Sequence, residues 1–233
     1  MGQKIVVFGS KSDIAKTFVE QAQECGWTVF TVCRGQDCSY TIQDISNFEQ
    51  TENAMQAAMQ TLGEIDGVVN FCGSVLLKPA HLTSFDEYLQ TINSSLTTSF
   101  AITRAVAKFV KQNCSVVFIG SAIANIGLAN HEAIAAAKGG VVALAKSAAA
   151  TYASKALRFN VVNPGLIDTK LTSKIIQNPE SLKYSLSLHG LNRAGLPQDI
   201  SNMVMFLLNQ QNSWITGSSF DVDGGLSTVK IKK

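Results

Sequence analysis

The chain has 233 residues, of which 46% are apolar and 15% charged, and its formal net charge at pH 7 is +2. This length favours a single α/β domain that buries most of its apolar surface. The small net charge and the lack of a basic block exclude a nucleic-acid partner, and the strand-sized apolar runs are too short to span a membrane. We therefore expect one domain over residues 1–233.

The N-terminus enters a strand at once, without the layout of a signal peptide, which predicts a cytoplasmic protein. The cysteines are odd in number and scattered, at Cys25, Cys33, Cys38, Cys72 and Cys114. They form no C-x-x-C motif, so we expect reduced thiols, with a redox pair of Cys33 and Cys38 as the alternative. No cluster has metal-ligand spacing, and no metal is expected.

The first predicted strand, residues 4–8, is a continuous β-branched and aromatic run, as expected for a parallel strand buried on both faces. A helix follows with Ser12 or Asp13 as its N-cap, and it ends at Gly26. The second strand is predicted over residues 28–32.

The rest of the chain continues this alternation. Further strands are predicted, in order, at residues 39–42, 67–71, 116–120, 159–163 and 219–222. Further helices are predicted at 48–61, 84–111, 132–153 and 199–208, whereas 169–192 reads as polar and irregular, and a basic tail ends the chain at 230–233. The alternation predicts βαβ units with right-handed crossovers. The expected fold is a Rossmann-type, three-layer, doubly wound α/β domain with a parallel sheet of about seven strands.

The turn after the first strand has the context of a dinucleotide-binding loop, between a strand and a helix. Gly9 allows a tight turn, and the free N–H groups at the helix start attract a pyrophosphate. Only one of the usual three glycines is present, so an ordinary βα turn stays the alternative. Asp13 replaces the middle glycine, and its carboxylate need not repel phosphate if it caps the helix.

The end of the second strand indicates which dinucleotide would bind. No acidic residue is present there to accept hydrogen bonds from the adenosine ribose. Arg34 is placed to pair with a 2′-phosphate instead, and Lys11 adds to the positive field. We therefore expect NADP(H) rather than NAD(H), the alternative being that Arg34 is a solvated loop residue.

These features resemble the short-chain dehydrogenase/reductase family over essentially the full chain. The family motifs are matched, some in degraded form, at Phe8–Ala15, Asp44, Asn70–Gly73, Asn93, Ser121, Lys138, Asn160–Thr169, Arg193–Asp199 and Gly217–Gly225. The cofactor-binding residues that the resemblance and the loop arguments together imply are Gly9, Ser10, Lys11, Ser12, Asp13, Ile14, Arg34, Asp44, Ile45, Asn70, Gly73, Lys138, Pro164, Gly165 and Thr169. The resemblance also implies a mobile substrate lid over 169–192 and a water held by Asn93 in a proton relay to Lys138. It further implies a homodimer or homotetramer, for which helix 132–153 offers a small-residue surface.

The family reaction moves a hydride between a nicotinamide and a small carbonyl or alcohol, and a tyrosine in the spacing Y-x-x-x-K supplies the proton. Counting back from Lys138 gives Ile134, which has no exchangeable proton. Tyr152 has the wrong spacing to Lys155, and we interpret it as structural. The chain is therefore similar to an atypical member of the family that lacks the catalytic tyrosine.

His131 is the candidate replacement, because residues 131, 134 and 138 share one helical face and an imidazole exchanges protons near neutral pH. Either His131 acts with Ser121, Lys138 and Asn93 as a catalytic residue, or it is a loop residue without that duty. Tyr184 in the lid is a weaker source of the proton. The sequence thus predicts an NADP(H)-dependent oxidoreductase acting on a small carbonyl or alcohol. The alternatives are an inactive homologue that binds nucleotide or a partner, and a lyase or isomerase that uses the nucleotide structurally.

Overall fold

Seven parallel strands form one sheet, in the order β3-β2-β1-β4-β5-β6-β7, in the computed structural model, which describes residues 2–230. The strands are β1 (Lys4–Phe8), β2 (Thr28–Cys33), β3 (Tyr40–Thr41), β4 (Gly67–Asn70), β5 (Ser115–Ile119), β6 (Arg158–Pro164) and β7 (Ser219–Val222). The helices are α1 (Asp13–Glu24), α2 (Phe48–Leu62), α3 (Phe85–Ile92), α4 (Thr98–Phe109), α5 (Glu132–Thr151), α6 (Ser173–Ile176), α7 (Pro179–Leu188) and α8 (Pro197–Leu208). Most of the predicted basic tail lies outside the described residues.

Helices cover both faces of this sheet. Along β1, Ile5 and Val7 pack towards α1 and α8, whereas Val6 and Phe8 pack towards α2, α4 and α5. This alternation follows from the two-residue period of a strand, and it explains why the strand sequence is apolar throughout. The predicted three-layer, doubly wound α/β fold is confirmed.

The strand order places β1 beside β4 at the centre of the sheet. From β1 the chain moves to one edge through β2 and β3, and from β4 it moves to the other edge. Open α/β sheets bind ligands where the strand order reverses in this way, beyond the carboxyl ends of the strands. We therefore expect a ligand-binding site at the loops that follow β1 and β4.

Two predicted segments differ from the structure. The single helix expected over residues 84–111 is divided into α3 and α4 by a π-helical turn, Asn93–Thr97. The segment 169–192, expected to be irregular, contains α6 and α7. Helix α7 begins in the usual way, because the side chain of Asn178 accepts a hydrogen bond from the backbone N–H of Ser181 and a proline occupies the first turn.

The prediction of reduced thiols is wrong for two of the five cysteines. Cys33 and Cys38 form a disulfide that closes the loop between β2 and β3, so the alternative of a pair at these positions is the better description. Cys25, Cys72 and Cys114 are free thiols.

Helix α5 is long and apolar enough, by length and composition, to cross a membrane. In this fold, however, Val141 and Ala145 are buried against the sheet as part of the core. Burial within the protein accounts for the apolar composition of this helix. The helix is longer than the strand-sized apolar runs that we predict from the sequence. A subunit contact along α5 stays a prediction.

Candidate active site

A cavity of about 290 Å³ opens at the carboxyl ends of the central strands. It brings together many of the residues predicted for the site, although they are far apart in the sequence. The predicted residues that line it are Lys11, Ser12, Asp13, Ile14, Gly73, Ser121, His131, Lys138, Pro164, Gly165 and Thr169. Gly9, Ser10, Arg34, Asp44, Ile45, Asn70 and Asn93 do not line it.

The turn after β1 requires a glycine at its first position. Gly9 has a φ of +75°, and a Cβ there would lie 2.8 Å from Sγ and 2.9 Å from the backbone nitrogen of Cys72. The backbone N–H of Gly9 donates to the carbonyl oxygen of Val32 at 3.0 Å, and that of Ser10 at 3.3 Å. The turn is thereby fixed close to the loop that follows β4.

Helix α1 begins with Ser12 as its N-cap, since the Ser12 Oγ accepts a hydrogen bond from the backbone N–H of Ala15 at 3.2 Å. Asp13, the other predicted cap, does not cap the helix. Its Oδ2 accepts a hydrogen bond of 2.7 Å from the backbone N–H of Lys170, on the opposite side of the cavity. Asp13 was expected to spare a bound phosphate only if it capped the helix. Because Ser12 is the cap, that expectation does not apply.

Arg34 follows β2 on the loop closed by the disulfide, and it is exposed. No carboxylate within residues 2–230 forms an ion pair with it. The neighbouring cation Lys11, in contrast, contacts Asp37, with its Nζ 3.2 Å from the carbonyl oxygen and 3.5 Å from Oδ2. Arg34 thus keeps an unpaired guanidinium just beyond the carboxyl end of β2.

The buried thiol of Cys72, on the loop after β4, is influenced by two positive charges. Burial raises its pKa to about 12, and the positive charges of Arg34 and Lys138 act against that increase. Both cations are therefore close enough to the loop after β4 to act on this thiol.

Two residues that are predicted to bind the nucleotide, Asp44 and Ile45, make structural contacts and do not line the cavity. Asp44 is exposed, and its Oδ1 accepts hydrogen bonds from the backbone and side chain of Ser46. Ile45 is buried in the core. These contacts shape the turn after β3 and point no side chain into the cavity.

Asn70, at the end of β4, is buried and shapes the cavity wall from behind. Its Nδ2 donates to the Ser99 Oγ at 3.1 Å, and its Oδ1 accepts from the backbone N–H of Cys72 at 3.0 Å. Gly73 then leaves room for a neighbour, because a Cβ there would lie 3.2 Å from the Nζ of Lys138.

Lys138 carries its ammonium group into a nearly closed part of the cavity. The residue is 6% exposed, and its Nζ donates to the carbonyl oxygen of Ile119 at 2.8 Å. Burial lowers the pKa of Lys138 to about 8, because a low-dielectric surrounding disfavours the charged form. The group can therefore exchange a proton near neutral pH.

Two further predicted groups, Ser121 and His131, line the cavity together with Lys138. Ser121 is the N-cap of a short 3₁₀ turn after β5, where its Oγ accepts from the backbone N–H of Ile123. His131 is the N-cap of α5 and not an interior helical residue, but it still lines the cavity. Its Nδ1 lies 2.7 Å from the carbonyl oxygen of Ala129. That contact places the proton of the neutral imidazole on Nδ1 and leaves the Nε2 lone pair free.

The tyrosines lie elsewhere. Tyr152 packs against Phe159, with ring centroids 6.0 Å apart. Tyr184 on α7 is 66% exposed. Neither lines the cavity.

The structure does not bring Asn93 to the cavity. Asn93 is exposed, and its Oδ1 accepts a hydrogen bond from the Thr97 Oγ1 at 3.0 Å. Two residues later, Ser95 is 1% exposed, and its hydroxyl has no hydrogen-bond partner within the described chain. A Cβ on Gly73 would lie 3.9 Å from that hydroxyl and 3.2 Å from the Lys138 Nζ. Ser95, which the sequence reasoning missed, therefore faces the space beside the lysine.

His189, also missed, is buried and joins two segments around the cavity. Its Nδ1 contacts the carbonyl oxygen of Ser185 at 2.8 Å, and its Nε2 accepts from the backbone N–H of Leu166 at 3.1 Å. The second contact supports the loop of Pro164 and Gly165 after β6. A lone histidine in a polar stretch gave no sequence signal for this role.

Comparison with known proteins agrees with the fold. A family profile described as enoyl-(acyl carrier protein) reductase matches residues 9–227. The chain belongs to the short-chain dehydrogenase/reductase family. The match includes the loop after β1, the Ser121 region, Lys138 and the loop after β6, so the family resemblance of the sequence is confirmed.

Individual relatives cover nearly the whole chain. A tropinone reductase homologue of Arabidopsis thaliana is 28% identical over 97% of this chain and 92% of its own length. A protein of Xanthobacter autotrophicus named inactive 2-(S)-hydroxypropyl-CoM dehydrogenase 2 is 29% identical over 80% of this chain and 84% of its own length. The ligand-free aldohexose dehydrogenase of Thermoplasma acidophilum superposes with a TM-score of 0.89 at 25% identity, covering 99% of this chain and 97% of the other. The family is thus one of oxidoreductases.

Proposed function

We propose that the protein is an NADP(H)-dependent oxidoreductase that transfers a hydride between the nicotinamide and a small apolar carbonyl or alcohol. One observation carries this proposal. At the carboxyl edge of the sheet, an unpaired guanidinium, Arg34, follows β2, and the tight turn of Gly9 follows the neighbouring β1. The buried ammonium group of Lys138 lines the cavity beyond this turn, and we interpret the three positions as one crevice.

The residues present fit a dinucleotide along most of this crevice. Arg34 would hold the 2′-phosphate, and the first turn of α1 would face the pyrophosphate. Gly73 leaves a space beside the Lys138 Nζ that a Cβ would fill, and the lysine would bind the nicotinamide ribose there. Asp13 is the one poor match, since it adds a negative charge where phosphate is expected.

When bound, the nicotinamide supplies or accepts the hydride. The protein then has to handle one proton at the substrate oxygen. Ser121 would donate a hydrogen bond to that oxygen, and protonated His131 would give it the proton from Nε2. The buried Lys138, with its lowered pKa, stabilises negative charge that develops beside it.

The substrate end of the cavity favours apolar molecules. Side chains from three segments line it, among them Leu128, Ile134, Leu171 and Leu188. Two of these, Leu171 and Leu188, belong to the segment 169–192, which we assign as the substrate lid. A small apolar ketone or alcohol suits this lining, because a charged substrate would lose its hydration without gaining a partner.

A second function, nucleotide binding without turnover, is favoured by Ile134. This buried residue stands one turn before Lys138, where the family resemblance places the tyrosine, and it offers no proton. The existence of a relative named inactive shows that loss of activity has a precedent among similar chains.

The distinguishing experiment uses NADPH that carries deuterium at the transferring position, with a panel of small aliphatic and cyclic ketones. Mass spectrometry of the product alcohols should show one deuterium on the former carbonyl carbon, and Lys138→Met should abolish it. Binding of NADPH without label transfer to any ketone would support the non-catalytic function. Absence of NADPH binding would contradict both.

A further inference from the structure

Asp13 makes the one hydrogen bond in the described chain between the first turn of α1 and the start of the segment 169–192. Its Oδ2 accepts the backbone N–H of Lys170 at 2.7 Å, across 157 positions of sequence. The helix does not need this carboxylate as a cap, because Ser12 already fills that role. The contact therefore does something other than start the helix.

The Asp13 carboxylate lies where the pyrophosphate of a dinucleotide would bind. Asp13 and Ser12 line the cavity at the helix N-terminus, where backbone N–H groups and the helix dipole favour negative charge. A carboxylate already present there satisfies part of that preference. It also repels a second anion at close range.

The contact joins the two walls of the cavity. One wall is the turn after β1, and the other begins at Thr169 and continues into α6 and α7 through Leu171. While the Asp13–Lys170 hydrogen bond exists, the start of the lid stays against α1. A pyrophosphate that entered would meet the Asp13 carboxylate first.

We propose that Asp13 is a latch that competes with the cofactor pyrophosphate. In the free protein it holds Lys170 and the start of the lid against α1. Binding of the dinucleotide displaces the carboxylate and frees the Lys170 N–H to donate to a phosphate oxygen. This inference rests on the proposed function, and it makes Asp13 a determinant of cofactor affinity.

Two variants separate competition from simple support of the lid. Asp13→Asn keeps an acceptor for Lys170 and nearly the same volume but removes the charge, whereas Asp13→Gly removes both. Competition predicts that both variants bind NADPH more tightly than the wild type, by roughly tenfold for one close like-charge contact in a partly exposed cleft. Glu24→Gln, at the other end of the same helix, is the matched charge control, and its affinity should change less than twofold.

A second ligand tests whether the effect concerns the pyrophosphate. Adenosine 2′-monophosphate carries the phosphate expected at Arg34 but no pyrophosphate, so its affinity should be the same in wild type, Asp13→Asn and Asp13→Gly. Hydrogen exchange of the Lys170 amide, measured without any nucleotide, should be at least tenfold faster in Asp13→Gly than in wild type. This readout follows the latch itself and does not depend on cofactor binding.

The outcomes are separable. Tighter NADPH binding by both variants, with unchanged binding of adenosine 2′-monophosphate, supports the latch. Unchanged affinity in Asp13→Asn with weaker binding in Asp13→Gly would show that the carboxylate only supports the lid, which overturns the competition. Equal exchange of the Lys170 amide in both proteins would overturn the latch contact. If no variant binds NADPH, the proposed function fails, and the exchange result still decides on the contact.

Discussion

Ile134 lies one helical turn before Lys138, and both side chains face the same cavity while almost completely buried. An apolar side chain therefore stands next to a lysine whose pKa burial has lowered to about 8. The cavity thus contains a buried ammonium group, and neither of the α5 residues that line it carries a hydroxyl. His131, the N-cap of that helix, also lines the cavity and can carry a proton.

Exchange of the proton source tests this arrangement. If His131 supplies the proton, His131→Ala should reduce kcat by about 10²-fold, the usual contribution of a general acid. Ile134→Tyr places a hydroxyl one turn from Lys138, so the double variant Ile134→Tyr/His131→Ala should recover activity. Steady-state kinetics on a ketone that the wild type reduces measures both effects, and thermal melting checks that the larger side chain is accommodated. Full activity of His131→Ala would remove the histidine from the mechanism.

The buried lysine predicts a pH-dependent stability. Because its pKa falls from 10.5 to about 8 on folding, the unfolded chain binds more protons between these values. The unfolding free energy contributed by this group therefore rises with pH across that window, by roughly 3 kcal/mol at most. Urea titrations of wild type and Lys138→Met at pH 7.5 and 10 measure the difference. The wild type should gain stability relative to the variant at the higher pH, and an opposite trend would mean that the ammonium group is not desolvated.

The disulfide predicts a link between thiol state and cofactor binding. Cys33 and Cys38 flank Arg34, so Cys38→Ser releases the loop that carries the guanidinium. Loss of this short covalent loop should lower the unfolding free energy by about 2 kcal/mol, and NADPH affinity should fall while NADH affinity stays the same. Cys25→Ser, at an exposed free thiol, is the control. Equal NADPH affinity with and without a dithiol reductant would show that the disulfide does not position Arg34 for cofactor binding.

His189 predicts a specific structural loss. Its two ring nitrogens satisfy the Leu166 N–H and the Ser185 carbonyl. His189→Leu leaves the buried Leu166 N–H and the part-buried Ser185 carbonyl unpaired, and it should cost about 1–3 kcal/mol of unfolding free energy. His189→Gln, which keeps a donor and an acceptor, should recover part of it. Equal melting temperatures for the leucine and glutamine variants would show that packing, not hydrogen bonding, is what the histidine provides.

The sequence predicted the strands well because each central strand is a continuous apolar run buried on both faces. Once the strands are known, their carboxyl ends place Gly9, Ser121 and Pro164 around one crevice. This is why much of the candidate site followed from the motif order alone.

The missed features depend on backbone geometry that a periodic pattern does not contain. The π-helical turn at Asn93–Thr97 changes which residues face inward. The family resemblance selected Asn93, and nothing in the sequence pattern indicated that Ser95 is the residue that faces the cavity wall. Helix α7 has no buried residue, so it shows no apolar stripe in the sequence. In the loop that the disulfide closes, Asp37 takes a φ of +64°, and no local signal identifies that conformation.

We propose that the crevice binds a nicotinamide dinucleotide and that Arg34 makes it prefer NADP(H) to NAD(H). The most direct measurement is a titration followed by nicotinamide fluorescence, with NADPH and NADH added to the wild type and to Arg34→Gln. We predict that the wild type binds NADPH at least about tenfold more tightly than NADH, since a charge-assisted contact contributes that much. Arg34→Gln should lose this preference while its NADH affinity is unchanged. Equal affinities in the wild type, or no binding of either nucleotide, would contradict the claim.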